Sequence, residues 1–265
     1  MAILNVTTDS FYAPSRTALA GLGEKAKHMI DLGADMLDLG AYSSRPGADV
    51  VPEEIEVQRL LDGIRAIREA VGYGIPLSVD TFRASVARKA IESGADIIND
   101  IGGGTLDTDM FDTVASLSVP YILMHMRGTP ATMQTLTDYN DVVSDVIEDL
   151  SRKLGILEEA GVADVIVDPG FGFAKTLEQN YRMLAYLERF DILGRPVLAG
   201  MSRKSMLTRL LGIDAESALA ATAVAGALAL ERGASILRVH DPAEASQSIA
   251  IINALHNAAK CSASE

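Results

Sequence analysis

Short apolar runs alternate with longer amphipathic stretches along the whole chain. The runs lie at 2–6 (AILNV), 35–39 (DMLDL), 75–79 (IPLSV), 95–99 (ADIIN), 120–124 (PYILM), 164–168 (DVIVD), 195–199 (RPVLA) and 235–239 (SILRV). Each is about five residues long and bounded by Gly, Pro, Asp or Ser, the pattern of a strand buried on both faces. The stretches between them carry apolar residues at helical spacing. Ile55, Leu60, Leu61, Ile64 and Ile67 do so within 53–71, and Leu150, Leu154, Ile156 and Leu157 do so ahead of Gly161. Eight strands alternating with eight helical segments predict an α/β chain folded as a (β/α)8 TIM barrel.

An internal echo supports this count. LGAD (32–35), SGAD (93–96), GVAD (161–164) and RGAS (232–235) each lead into a strand. Their glycines at 33, 94, 161 and 233 are 61, 67 and 72 residues apart. That is about two βα units per period, with Gly ending a helix just before the next strand. A doubly wound open sheet also alternates, but no GxGxxG follows the first strand. No linker or charge block divides the sequence, so residues 1–265 are expected to form a single domain.

Composition narrows the function. The 265 residues are 48% hydrophobic and 22% charged, ordinary for a globular domain. A formal net charge of −13 argues against binding nucleic acid through phosphate neutralisation. The start, MAILNVTTDS, has neither a basic region nor a long apolar run. The longest apolar stretch, Ala218–Leu230, is Ala-rich and too short for a bilayer span. The one cysteine, Cys261, has no partner for an internal disulfide and is assigned no role. The expectation is a cytoplasmic protein with no membrane and no nucleic-acid partner.

In a barrel the chemistry sits at the C-terminal ends of the strands. Those ends carry Asn5, Asp38, Asp80, Asn99-Asp100, His125, Asp168, Ser202-Arg203-Lys204-Ser205, Arg238 and His240. Helix capping accounts for single Asp residues in such places, but not for Lys204, Arg238 or His240. Arg45, Lys204, Arg238 and His240 gathered at one mouth of an acidic protein point to an anionic ligand. GMSRKS (200–205), opening a helix, offers backbone N–H groups and a lysine to an anion, though it lacks the P-loop spacing. Asp80, Asn99 and Asp168 supply the carboxylates and amide that read a donor-rich heterocycle. His125 is expected to have a structural role lining the barrel mouth. His28 and His256 fall within helices, and the ten methionines read as core filler.

The strand ends resemble those of the dihydropteroate synthase family. The matching segments are ILNVTTDSF (3–11), SSRPGA (43–48), SVDTFR (78–83), ADIINDI (95–101), LMHMRGTPATMQ (123–134), VDPGFGF (167–173), GMSRKS (200–205) and RVHD (238–241), in family order and spacing. The resemblance implies a (β/α)8 barrel, usually a homodimer, that joins 6-hydroxymethyl-7,8-dihydropterin pyrophosphate to p-aminobenzoate. Asp80, Lys204, Arg238 and His240 are the catalytic residues it implies. For the pterin it implies Asp80, Asn99, Asp168, Phe173, Lys204 and Arg238. For the pyrophosphate it implies Asn5, Ser44, Arg45, Arg238 and His240, with Asn5 also the Mg2+ ligand. Pro46, Phe173 and Ser205 match the p-aminobenzoate pocket, which makes sulfonamides expected inhibitors. Thr8, Ala41, Tyr42, Ser44 and Ala174 depart from the common family pattern, and none removes an assigned polar group. Asp9 lies on a family mobile loop, and family members usually carry further residues ahead of the first strand. The competing readings are a pterin-binding methyltransferase barrel and a non-catalytic pterin-binding barrel.

Overall fold

The computed structural model describes residues 1–6, 16–42 and 51–262. Strands β1 (Ala2–Asn5), β2 (Leu37–Gly40), β3 (Leu77–Asp80), β4 (Ile97–Asp100), β5 (Tyr121–Met124) and β6 (Val165–Asp168) pair in sequence order, all parallel. The two-residue strands β7 (Leu198–Ala199) and β8 (Ile236–Leu237) pair with one another. Parallel bridges from Val167 to Val197 and from Ala2 to Val239 join this pair to β6 on one side and β1 on the other. The ring is thereby closed, and the eight strands form the expected barrel.

Between the strands run α1 (Arg16–Asp31), α2 (Glu53–Val71), α3 (Ala84–Glu92), α4 (Met110–Leu117), α5 (Val142–Glu159), α6 (Leu177–Ala185), α7 (Ser205–Leu211), α8 (Leu219–Glu231) and α9 (Pro242–Ser262). The sequence pattern gives eight helical segments, whereas nine α-helices occur among the described residues. The extra one arises because Gly212, in the left-handed region at φ 65°, ends α7 and lets α8 start afresh before β8.

The four echoed glycines do one job. Gly33, Gly94, Gly161 and Gly233 all have φ between 85° and 108°. In each case the following N–H reaches back to the last turn: Ala34 to Met29, Ala95 to Ala90, Val162 to Leu157 and Ala234 to Ala229, at 2.9–3.0 Å. This is the Schellman cap, which satisfies orphan helix carbonyls and turns the chain into the next strand. Helix starts are equally specified. Asp141 accepts from Ser144 N–H at 2.9 Å, and Thr176 forms a reciprocal capping box with Gln179 ahead of α6.

The period-2 alternation sorts side chains into two cores. Leu4, Leu37, Leu39, Leu77 and Val79 point outward and pack on Leu22, Leu60, Ile64 and Ile67 of α1 and α2. A similar outer layer covers β4 to β8. Inside, Ile97, Ile122 and Leu198, with Met36, Ile166 and Ile236, plug the barrel floor. One layer higher the inward positions turn polar: Asp38, Asn99, Asp168 and Arg238 sit on a floor of hydrocarbon. Ser78 also lies on this layer, fully buried, with its Oγ unpartnered. Methionine is indeed core filler, eight of the ten being buried.

Candidate active site

Arg238, from the end of β8, lies at the centre of the mouth. Its Nε donates to Asp38 Oδ2 at 2.6 Å and its Nη2 to Asp80 Oδ2 at 2.9 Å. Asn99 Nδ2 donates to the same Asp38 carboxylate, 3.2 Å from Oδ2. Four strands, β2, β3, β4 and β8, therefore converge on one hydrogen-bonded set. Burial pushes the Asp80 carboxyl up to about 7, against the pull of Arg238, with the carboxylates of Asp38, Glu56 and Asp100 adding to the rise. The two carboxylates together hold the Arg238 guanidinium firmly protonated.

Asp168 and Lys204 face this set across the mouth. Asp168 is 5% exposed and accepts from Gly170 N–H at 2.7 Å. Burial raises its carboxyl, and Lys204 and Arg238 oppose that rise. Lys204 donates to Phe171 O at 2.6 Å, and its ammonium lies 4.6 Å from the Phe173 ring centroid, a cation–π contact. Burial brings the Lys204 ammonium down to about 8, with Asp168 pulling it back up. The space between them is kept open by Gly200. A Cβ placed there would lie 3.7 Å from Lys204 Nζ, 3.9 Å from Arg238 Cβ and 4.0 Å from Asp168 Oδ2.

The last two motifs are tied together. His240 N–H donates to Ser202 Oγ at 3.2 Å, and His240 Nδ1 lies 2.9 Å from that hydroxyl. Arg203, at φ 56°, forms a two-pronged pair with Asp241, both bonds 2.8 Å, and holds the carbonyls of Ala215 and Glu216. It braces the loop, while its neighbour Lys204 reaches into the mouth. Ser205, the first residue of α7, is exposed at the rim. Asn5 is also exposed, at the end of β1, and a Cβ on Gly40 would come within 3.0 Å of its Oδ1.

Asn5, Asp80, Asn99, Asp168, Phe173, Lys204, Ser205, Arg238 and His240 thus all lie at the C-terminal ends of the strands. Ser44, Arg45 and Pro46, with the departures at Thr8 and Ser44 and the loop residue Asp9, lie outside the described residues. Asp100 differs from its neighbour Asn99. It binds the Gly102 and Gly104 N–H groups and the Tyr121 hydroxyl, bracing the loop after β4. Asp38 carries more than a strand-end reading assigned it, since it anchors both Arg238 and Asn99. Its signal was a carboxylate at an inward position of the apolar run DMLDL. Ala174 takes φ 50°, a left-handed conformation that disfavours any Cβ.

The chain belongs to the pterin binding enzyme family, whose pattern matches residues 1–240. Among curated relatives, dihydropteroate synthase of Synechocystis is 40% identical over 96% of this chain and 89% of its own length. That of Escherichia coli K12 is 38% identical over 96% of this chain and 90% of its own. The fold matches the Yersinia pestis dihydropteroate synthase crystal structure with a sulfonamide drug, at TM-score 0.89 and 34% identity over 97% of this chain and 94% of that one. The Xanthomonas albilineans enzyme with 4-aminobenzoic acid matches at TM-score 0.88 and 38% identity, covering 97% and 92%.

Proposed function

We infer that this chain is a dihydropteroate synthase, condensing 6-hydroxymethyl-7,8-dihydropterin pyrophosphate with p-aminobenzoate to 7,8-dihydropteroate and pyrophosphate. The observation that carries the reading is the mouth itself. Buried Asp168 and half-buried Lys204 flank an open space at Gly200, with Asp80, Asn99 and Arg238 opposite. The Asp168 carboxylate suits the paired N–H donors of an aminopyrimidinone edge, and the Lys204 ammonium suits the ring carbonyl. Asn99 and Asp80 suit the other ring edge, and Phe173 walls the mouth beside Lys204. Arg238 and His240, with Ser44 and Arg45 outside the described residues, are proposed to hold the pyrophosphate. Pro46, Phe173 and Ser205 are proposed for the p-aminobenzoate side.

A divalent cation fits these residues. Among the described residues no cluster of three or more His, Cys, Asp or Glu could hold a metal. The rim does offer the amide oxygen of exposed Asn5, and Mg2+ commonly takes one or two protein oxygens and completes its shell with phosphate and water. Bound there, Mg2+ would neutralise charge on the leaving pyrophosphate. The protein's own part is electrostatic and positional. The bond from the pterin methylene carbon to the pyrophosphate oxygen breaks first. The electron-rich ring stabilises the methylene cation, and the carboxylates of Asp80 and Asp168 favour that charge. The neutral arylamine nitrogen then attacks the methylene and releases its proton, a step that requires no strong general base.

A homodimer is proposed from the outer surface. Val224 and Leu228 on α8, and Ile251 and Leu255 on α9, form i, i+4 pairs of exposed apolar side chains. Leu210 and Leu211 on α7 are exposed as well. Apolar stripes of this kind on neighbouring helices mark subunit contacts. A cytoplasmic setting suits a chain with one cysteine and no possible internal disulfide.

The test is pyrophosphate release from the pterin pyrophosphate in Mg2+, with and without p-aminobenzoate. Release that depends on p-aminobenzoate, with equal dihydropteroate, is the expected result. Pterin binding without release in either condition would replace this reading with a non-catalytic pterin-binding barrel.

A further inference from the structure

Lys175 is a buried lysine that the substrate assignments above leave unused. It is 4% exposed, and its three N–H donors meet three acceptors: Gly170 O at 3.0 Å, Phe173 O at 3.0 Å and His125 Nδ1 at 3.2 Å. The two carbonyls are the ends of one tight turn, closed by Phe173 N–H to Gly170 O at 3.1 Å. That turn aims three parts of the pterin half of the mouth. Gly170 N–H orients the Asp168 carboxylate, Phe171 O receives Lys204, and the Phe173 ring lies under the Lys204 ammonium.

His125 completes the device from β5. It is 2% exposed, and its backbone N–H donates to Asp168 O at 2.9 Å. Its carbonyl abuts Gly170 so closely that a Cβ there would come within 2.1 Å. Burial, with Lys175, Lys153 and Arg127 nearby, drives the imidazole down to about 2, so the ring is neutral and Nδ1 can accept from the ammonium. The turn is backed from the other side by Tyr139, whose hydroxyl donates to Ala174 O at 2.9 Å while its ring contacts His125 and carries Arg127 3.7 Å above its centroid.

We propose that Lys175 is a positioning residue for pterin recognition, clamping the Gly170–Phe173 turn and His125 so that Asp168, Phe173 and Lys204 face the ring. The inference rests on the dihydropteroate synthase reading and deepens its pterin half. Polar contacts beyond the substrate's reach hold first-contact groups to narrow tolerances, and small misplacements there lower rates steeply.

The experiment compares the folded full-length protein with Lys175→Met, which keeps the length and loses every donor. Binding of 6-hydroxymethylpterin is measured by calorimetry, and KM for both substrates by steady-state kinetics. The expected result is pterin affinity and kcat/KM for the pterin pyrophosphate lowered about tenfold or more, with a clearly smaller rise in KM for p-aminobenzoate, since Phe173 alone of the clamped groups also belongs to that side. Unchanged pterin affinity in the folded variant overturns the proposal, as does an equal loss for both substrates. A second pair guards against a variant that fails to fold. His125→Asn keeps an acceptor near the Nδ1 position and should bind pterin nearly as wild type, whereas His125→Leu should not; equal affinity in the two overturns the proposal. Wild-type protein that does not bind the pterin would overturn the parent functional reading, and this inference with it.

Discussion

Arg238 offers the sharpest energetic test of the mouth. In Arg238→Met the side chain keeps its bulk, but Asp38 and Asp80 lose their shared cation. The Asp38 side chain is fully buried and that of Asp80 is 18% exposed, so water replaces little of what is lost. Breaking a buried pair by removing one partner costs about 3–5 kcal/mol. For a chain of this size that is a fall in Tm of roughly 6–20 °C. The loss must also depend on pH. Asp80 already sits at about 7 with Arg238 in place, and its folded-state pKa rises further without the cation. A carboxyl raised in the folded state contributes stability that is complete below its ordinary value and is lost as pH rises through the folded one. The deficit of the variant is therefore greatest near pH 8 and smaller near pH 5. Urea unfolding at the two pH values, followed by circular dichroism because the chain has no tryptophan, measures both. Adding Asp38→Asn to the variant should recover part of the loss. A deficit under about 1 kcal/mol at pH 8, or one equal at both pH values, would refute the view that one guanidinium holds two buried carboxylates.

Three further substitutions probe neighbouring positions. Gly200→Ala places a methyl in ordinary contact with Lys204, Arg238 and Asp168 but inside the open space; the Tm should hold within about 3 °C while pterin affinity collapses, and wild-type affinity would remove Gly200 from the pterin floor. Lys204→Ala should lose pterin affinity and turnover together, so near-normal turnover in the steady-state assay would sink its assigned role. Ser78→Ala removes a buried hydroxyl without a partner, so thermal unfolding should show no loss and a gain of up to about 1 kcal/mol; a loss above about 1 kcal/mol would show that the hydroxyl is bonded in solution.

The strands, the barrel and most mouth residues were legible because each rests on a local pattern. A short apolar run with Gly, Pro, Asp or Ser at its edges marks a strand buried on both faces, and the echoed glycines mark helix caps because glycine readily takes the positive φ found there. Strand ends moved by one or two residues, as at 35–39 against Leu37–Gly40, because the ladder partner decides where a parallel strand begins. The nature of Asp100 was not legible. Asn99 and Asp100 are adjacent, and only their opposite sides of the pleat send one into the mouth and the other to Tyr121 and the loop after β4.

The sequence by itself determined the order of elements, the closed-barrel class and the ring of polar residues at the strand ends. All of these follow from the sign and spacing of side chains along one chain. Tertiary structure alone decided which of those residues share a hydrogen bond. Arg238 and Asp38 are 200 positions apart, and Lys175 and His125 are 50 apart. Closure of the barrel brings the first pair together and the pairing of β5 with β6 the second, in places dry enough for each polar group to require a specific partner.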